Sequence, residues 1–182
     1  GYELKREGYY GKKGTVLEAR EAPGILLWSY AMAGRLSGDP ALWQTARAMA
    51  RGRGLGDIGS APGSAVNVNP ATDQADPQVL FGLLEVCRMS EHAAYRDLAA
   101  RVGDNVVAQH FHDGFFLPDT RHVYARVNAI EPLALLALEA TLRDEPGIVP
   151  RYCGGHSYFT GPHDGLGRTG DAKVIWQLRK QG

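Results

Sequence analysis

The sequence has few of the features that mark a membrane protein, a nucleic-acid binder or a disulfide scaffold. No apolar run approaches the roughly 20 residues that a helix needs to cross a bilayer. The 20 Lys and Arg residues balance 20 Asp and Glu residues, whereas a general nucleic-acid binder needs a basic excess to contact phosphates. Only two cysteines are present. Cys87 lies in an apolar helical pattern and is expected to be a small buried thiol, with a bridge to Cys153 as the alternative.

Several common catalytic motifs are also absent. The sequence contains no Gly-x-Ser-x-Gly elbow, no phosphate-binding Gly-x-x-x-x-Gly-Lys-Ser/Thr loop, no dinucleotide fingerprint after a strand and no Cys-x-x-Cys pair. The glycine-rich residues 52–56 follow a helical pattern, which predicts a helix stop and turn. The chain opens at Gly1 without a Met or a leader. We therefore expect a mature form or a piece of a longer protein.

An approximate internal repeat is the most informative feature that is present. An acidic residue stands one or two positions before each of three prolines, Pro23, Pro77 and Pro132, and an apolar run follows each proline. Proline fits the first turn of a helix, and a carboxylate ahead of it favours the positive end of the helix dipole. The pattern predicts helices over residues 24–35, 78–89 and 133–143. A period of about 50 residues indicates a repeated supersecondary unit.

The second half of each repeat differs from the first. Residues 41–51 and 93–107 form amphipathic patterns, and Gly103 interrupts the second of them, which favours two shorter helices there. The first helices are apolar nearly all round, as is typical of helices buried on every side. This alternation predicts an all-α fold of helical hairpins that form part of an α/α toroid (barrel), with long Gly-rich loops at one end. An α-solenoid or an irregular bundle is the alternative.

Too few hairpins are predicted to close a toroid. Residues 1–182 are therefore expected to be a single toroid segment, a partial domain of a larger enzyme. The alternative is self-association across the open edges of the helix array.

If the first helices run parallel, the loops that lead into them open at the same end of the fold. These loops cover residues 9–22, 60–75 and 114–130. In the first loop, Tyr9, Tyr10 and Lys12 suit a sugar ring that bears a carboxylate, although a solvated turn would use the same residues. In the second loop, Asn67 and Asn69 could bind hydroxyls, but an Asx-rich turn is favoured.

The third loop has the densest set of functional groups. After its proline it is expected to be extended, so that alternate residues face opposite ways, with Arg121 on one side and His122, Tyr124 and Arg126 on the other. Because arginine binds carboxylate bidentately, this loop is predicted to hold an acidic substrate. The alternative is that its arginines pair with Asp119 and Glu131. His110 and His112 have a spacing that ligates a metal if the backbone is extended, but a structural role is favoured.

Four stretches of sequence resemble the pectate lyases of polysaccharide lyase family 2. They are residues 43–47 through 55–59, 106–114 (VVAQHFHDG), 121–126 (RHVYAR) and 131–136 (EPLALL). The resemblance covers most of this chain but only the later, C-terminal part of a family member. It implies an α/α toroid with arms that close over the polymer, a periplasmic or secreted location, and β-elimination of polygalacturonate with a divalent metal (Mn or Ca) and an arginine base.

The resemblance also suggests roles for the loop residues. Arg121 and His122 become the catalytic candidates, and the candidates for binding an acidic oligo- or polysaccharide are Tyr9, Tyr10, Lys12, Tyr124 and Arg126. The family's metal ligands and catalytic arginine belong to its earlier half, so the substrate class carries over more firmly than the catalytic roles. Two other functions stay open. One is a toroidal glycoside hydrolase with a carboxylate pair drawn from Glu18, Asp73, Asp119 and Glu131. The other is a non-catalytic helical module that binds carbohydrate or acts as a scaffold.

Overall fold

The computed structural model describes residues 2–9, 11–17, 21–117, 124–125, 129–145, 147, 149 and 176–177. This part of the chain is mainly helical, which confirms the all-α class. Its helices are α1 (Gly24–Ser37), α2 (Pro40–Gly52), α3 (Pro77–Cys87), α4 (Ala93–His110) and α5 (Glu131–Leu142). In these described ranges no helix is both long enough and apolar enough to cross a membrane.

Short antiparallel strand pairs lie between the helices. Each strand has two residues, and the described residues form four such pairs. The pairs are β1 (Tyr2–Glu3) with β2 (Val16–Leu17), β3 (Gly56–Asp57) with β4 (Asn67–Val68), β5 (Phe111–His112) with β6 (Phe115–Phe116), and β7 (Tyr124–Ala125) with β8 (Trp176–Gln177). They shape the loops and leave the helices as the framework.

Local chemistry explains where the helices begin. Asp39 caps α2 by accepting a hydrogen bond from the Ala41 N–H at 2.8 Å, and Asp76 caps α3 by accepting one from the Gln78 N–H at 2.8 Å. In both helices the next residue is proline, whose missing N–H costs nothing in the first turn. The acidic-proline signal in the sequence is therefore a helix start, as predicted.

The helices α1 and α3 run parallel and pack closely. Their contacts advance together along both helices, from Gly24 beside Asp76, through Trp28 stacked on Phe81 with ring centroids 4.5 Å apart, to the Arg35–Glu85 ion pair at 2.5 Å. The two backbones approach closely at Gly82, where a Cβ would lie 2.9 Å from Leu27 Cγ and 3.0 Å from the Trp28 nitrogen.

The helix α5 lies antiparallel to α4. Helix α4 is in turn antiparallel to α3, because Asn105 near its end hydrogen-bonds to the loop just before α3, so α5 is parallel to α3. His110 at the end of α4 contacts Glu131 at the start of α5, and Arg96 near the start of α4 pairs with Asp144 beyond the end of α5. Gly103 lies between these two contacts and packs on Leu138. The three first helices are thus parallel, as the shared loop end required.

The structure corrects the prediction that Gly103 divides the second outer helix. Helix α4 is continuous over Ala93–His110. Gly103 is buried, and a Cβ at this position would overlap Leu138 Cδ2. The glycine therefore allows α5 to approach and does not interrupt the helix. Sequence alone cannot separate these two uses of a helical glycine.

The prediction that all first helices are buried on every side holds only for α3. In α3, Pro77 and every residue from Val79 to Val86 are buried. In α1 the buried residues form one stripe, and Ile25, Leu26 and Leu36 are 37%, 36% and 69% exposed. On α5, Leu136 is 48% exposed. The order of packing is α1–α3–α5, so the apolar faces at its two ends lack a neighbour among the described residues.

Cys87 at the end of α3 is a half-buried free thiol, which agrees with the role expected from its pattern. Burial raises the pKa of this thiol to about 11, so it stays protonated at neutral pH. Cys153 lies outside the described residues.

Candidate functional site

The starts of α1, α3 and α5 meet the ends of α2 and α4 at one end of the fold, which we call the rim (residues 21–24, 53–57, 72–78, 105–112 and 129–131). Side-chain amides of α4 hydrogen-bond to the loop before α3 and hold that loop against α4. The Asn105 amide donates to the Thr72 and Gln74 carbonyl oxygens at 2.8 and 3.0 Å, and the Gln109 amide donates to the Asp73 backbone carbonyl oxygen at 3.1 Å. The His110–Glu131 contact continues the rim to α5. The loop ends that lead into the three first helices therefore share one end of the molecule.

The first predicted loop, residues 9–22, overlaps the β1–β2 hairpin, residues 2–17. At its turn Tyr9 is 97% exposed, and Lys12 is exposed as well. The hairpin carries four exposed cationic side chains, and none of them forms an ion pair within the described ranges: Lys5, Arg6, Lys12 and Lys13. Tyr10 and Glu18 lie outside the described residues. The hairpin is thus a cationic surface with an exposed aromatic ring.

The second loop uses its asparagines structurally, as the turn interpretation predicted. Asn69 Nδ2 donates to the Gly54 carbonyl oxygen at 2.9 Å, and Asn69 Oδ1 accepts from the Ala71 N–H at 3.1 Å. Asn67 belongs to β4, where it pairs with Asp57 of β3. Asp73 is exposed at the rim.

An ion cluster at Asp57 fastens the base of this loop to α2. Arg47 donates from Nε and Nη2 to the two Asp57 carboxylate oxygens at 2.6 and 2.7 Å, and Arg51 also donates to this carboxylate. The Gly59 N–H donates to Asp57 Oδ1 at 2.9 Å. These bonds, above all those from Arg47, hold the pKa of Asp57 well below its usual range.

We expect Asp57→Asn to destabilise the protein at neutral pH but not in strong acid. The pKa of Asp57 is lower in the folded chain than in the unfolded chain, so its ion pairs contribute stability above the unfolded value of about 3.9. That contribution is lost as the pH falls toward the folded value. Urea denaturation should show a constant difference between variant and parent from pH 7 to about pH 5, and a shrinking one below about pH 4.

Asp104→Asn is the matched control, because Asp104 is exposed on α4 and forms no ion pair with another described residue. Its pH profile should follow that of the parent. A difference for Asp57→Asn that persists unchanged to pH 2 would contradict the assignment.

Most of the third loop, including Arg121, His122 and Arg126, lies outside the described residues. Tyr124 is described at the backbone, where it belongs to β7 and pairs with Gln177 of β8. This agrees with the extended conformation expected for residue 124. The roles predicted for these four residues stay predictions, as does the alternative pairing with Asp119.

The two histidines proposed as metal ligands occupy different elements. His110 is the last residue of α4, and its Nδ1 lies 3.3 Å from Glu131 Oε1. His112 belongs to β5, and its Nε2 lies 2.9 Å from the Gln109 carbonyl oxygen. The extended spacing assumed for this pair does not hold, because His110 ends a helix.

The described residues do not form a site that fits Mn²⁺ or Ca²⁺. His110 and Glu131 supply one nitrogen and one carboxylate, whereas these ions take six or more ligands that are mainly oxygens. Across the described ranges no group of three metal-ligating side chains occurs. Any further ligands would have to come from other residues.

Arg53 forms more hydrogen bonds and ionic contacts than any other described cation of the rim, and it was not predicted from the sequence. This residue caps the end of α2, and its side chain is only 10% exposed. It lies in the glycine-rich segment 52–56, whose predicted role as a helix stop is confirmed by the end of α2 at Gly52 and the positive φ of 71° at Gly54. An arginine between glycines gives no periodic signal, so its burial was not predictable.

Comparison with known proteins indicates the family to which the chain belongs. Residues 1–162 match a family model described as periplasmic pectate lyase. The chain is also 27% identical over 175 residues to a pectate disaccharide-lyase of Dickeya dadantii (strain 3937). This alignment covers 96% of the chain but only 29% of the relative. Since the family model covers most of the sequence, the chain belongs to the periplasmic pectate lyase family.

Proposed function

We propose that this chain is part of a pectate lyase that binds an acidic polysaccharide at the rim and cleaves it by β-elimination. The β1–β2 hairpin, which precedes α1 in the chain, carries exposed cations that form no ion pair with another described residue, and these cations are the observation that carries the proposal. A polymer with one carboxylate on each sugar needs a row of cations and an aromatic surface, and Lys12 and Tyr9 offer both. The name of the Dickeya relative supports the same substrate class.

β-Elimination needs a base and a group that stabilises negative charge, and we propose that the third loop supplies them. β-Elimination removes the proton α to the substrate carboxylate, breaks the glycosidic C–O bond β to that carboxylate and leaves a C=C bond between the two carbons, while the leaving oxygen takes up a proton. Negative charge builds on the carboxylate in the transition state. We assign Arg121 and His122 to this step, with Tyr10, Tyr124 and Arg126 as subsite residues. Arginine is protonated in ordinary surroundings, so an arginine base requires a strongly electropositive site that lowers its pKa.

The proposal includes a divalent metal, Mn or Ca, as the family resemblance implies. Bound at the active site, it would neutralise the substrate carboxylate. His110 and Glu131 alone supply too few ligands for either ion, so the other ligands would have to come from outside the described residues. Chelation followed by return of Mn²⁺ or Ca²⁺ to the full-length protein should abolish and then restore turnover.

We further propose that residues 1–182 are a segment of an α/α toroid that the rest of the full-length protein completes. The uncovered apolar faces of α1 and α5 support this, as does the 29% coverage of the relative. The chain alone should associate in solution through these faces, and the full-length protein should not. Equal association of both, measured by mass in solution, would contradict the proposal. A periplasmic or secreted location follows from the family description.

The deciding experiment uses the full-length protein, polygalacturonate and Mn²⁺ or Ca²⁺. Unsaturated products that absorb in the ultraviolet are expected. New reducing ends without a gain of absorbance would select the glycoside hydrolase instead. Binding of oligogalacturonate without turnover would select the non-catalytic module.

Removing charge from the hairpin should weaken substrate binding. We expect Lys12→Gln with Lys13→Gln to raise KM for polygalacturonate about five-fold with little change in kcat, because exposed ionic contacts contribute about 1 kcal/mol. The effect should shrink at 0.5 M salt, which screens exposed charges.

The matched control is Arg101→Gln with Arg143→Gln, since both arginines are exposed and lie outside the hairpin. It removes the same charge and should leave KM unchanged. An equal rise of KM in both double variants would indicate a general effect of net charge and would contradict binding at the hairpin.

A further inference from the structure

We propose that Arg53 is a positioning residue for the reaction proposed above, on which this inference rests. It holds the segment before α1 and the segment before α3 at a fixed separation, and so sets the spacing of the first and second loops at the rim.

The contacts of Arg53 reach both segments at once. Its Nη1 donates to the Ala22 carbonyl oxygen at 2.6 Å, just before α1. Its Nη2 donates to Gln74 Oε1 at 3.1 Å and to Asp76 Oδ2 at 3.2 Å, just before α3. Glu21 adds a longer ionic contact at 3.6 Å. One planar guanidinium thus joins two loops that are more than 50 residues apart in sequence.

Asp76 makes this junction sensitive to small shifts. Its Oδ1 accepts from the Gln78 N–H as the cap of α3, while its Oδ2 accepts from Arg53. The carboxylate also lies so close to Gly24 that a Cβ there would overlap it. A displaced Arg53 would therefore disturb the starts of α1 and α3 together.

The surroundings of Arg53 fix the position of its guanidinium at a cost in folding stability. Its Nε is buried and finds no acceptor among the described residues. A buried donor without a partner costs about 1–3 kcal/mol. Lysine would carry the same charge on a single nitrogen, without the fixed spacing between two donor nitrogens that the guanidinium provides. Structures that retain such a cost often do so at functional sites.

The test compares Arg53→Met and Arg53→Lys in the full-length protein at a temperature well below both unfolding midpoints. We expect kcat/KM for polygalacturonate to fall about ten-fold or more in both variants, since small misplacements of substrate-binding groups have effects of this order. Arg53→Lys keeps the positive charge and is included in case Arg53→Met fails to fold. Hydrogen exchange should rise in residues 21–24 and 72–76 of each variant.

The matched control is Arg35→Met, which breaks an ion pair with Glu85 toward the far ends of α1 and α3. It should lower the unfolding midpoint while kcat and KM stay at parental values. An active parent whose Arg53 variants keep parental kcat/KM, or show unchanged exchange in both segments, overturns the inference alone. A parent without turnover overturns the lyase function and this role with it.

Discussion

Replacing Gly24 with alanine is expected to lower the free energy of unfolding by about 2–3 kcal/mol. The new Cβ would overlap the carboxylate of Asp76, which cannot simply turn away because it caps α3 and binds Arg53. Either those bonds break or α1 shifts away from α3. For a domain of this size the midpoint of thermal unfolding should fall by about 4–12 °C. Urea denaturation, with the slope m checked for constancy, measures the loss.

A double-mutant cycle with Asp76→Ala tests the cause. Once the carboxylate is removed, Gly24→Ala should cost little, because the obstacle has gone and alanine favours the helix. Gly52→Ala is the matched control, since a Cβ at the end of α2 meets open space. A full loss from Gly24→Ala in the Asp76→Ala background would show that the carboxylate is not the obstacle.

The second large effect concerns Glu85, a carboxylate of α3 that is 4% exposed. Arg35 donates to it at 2.5 Å and Arg88 at 2.6 Å. We expect Arg35→Met with Arg88→Met to lower the free energy of unfolding by about 3–5 kcal/mol, because a buried charge then lacks a partner.

Adding Glu85→Leu to this double variant should restore most of the lost stability, since an apolar side chain fills the same space without charge. Chemical denaturation of the parent, the double variant and the triple variant at pH 7 decides the matter. If the triple variant is no more stable than the double variant, the loss comes from packing of the arginine stems and not from the unpaired charge.

The sequence allowed good prediction of features that depend on neighbouring residues. The starts of α2 and α3 were predictable because Asp39 and Asp76 cap helices whose first residue is proline. The Asn69 turn was predictable for the same reason, since both of its hydrogen bonds lie within the second loop and its base. The family was recognised from four short stretches, and the family match over residues 1–162 confirms it.

Features that depend on distant contacts were not predictable. Gly103 has the pattern of a helix break, but Leu138 of another helix determines its use. The composition of α1 indicates burial on every side, whereas exposure depends on which neighbours are present. Arg53 was missed because its partners before α1 and α3 are far away in sequence. The catalytic roles predicted for Arg121 and His122 stay predictions.

The connections between helices are unequal at the two ends of the fold. Residues 38–39 and 88–92 are all that join α1 to α2 and α3 to α4, whereas residues 53–76 and 111–130 carry the chain into α3 and α5. Tight connections fix each hairpin as a unit, and long surface connections tolerate insertion and deletion. The exposed turns of these long connections can therefore change in length and composition while the hairpins keep their packing. Grafting a foreign segment into the exposed residues 113–114, between β5 and β6, should be tolerated where the same graft at residues 38–39 is not, and new specificity can be engineered there.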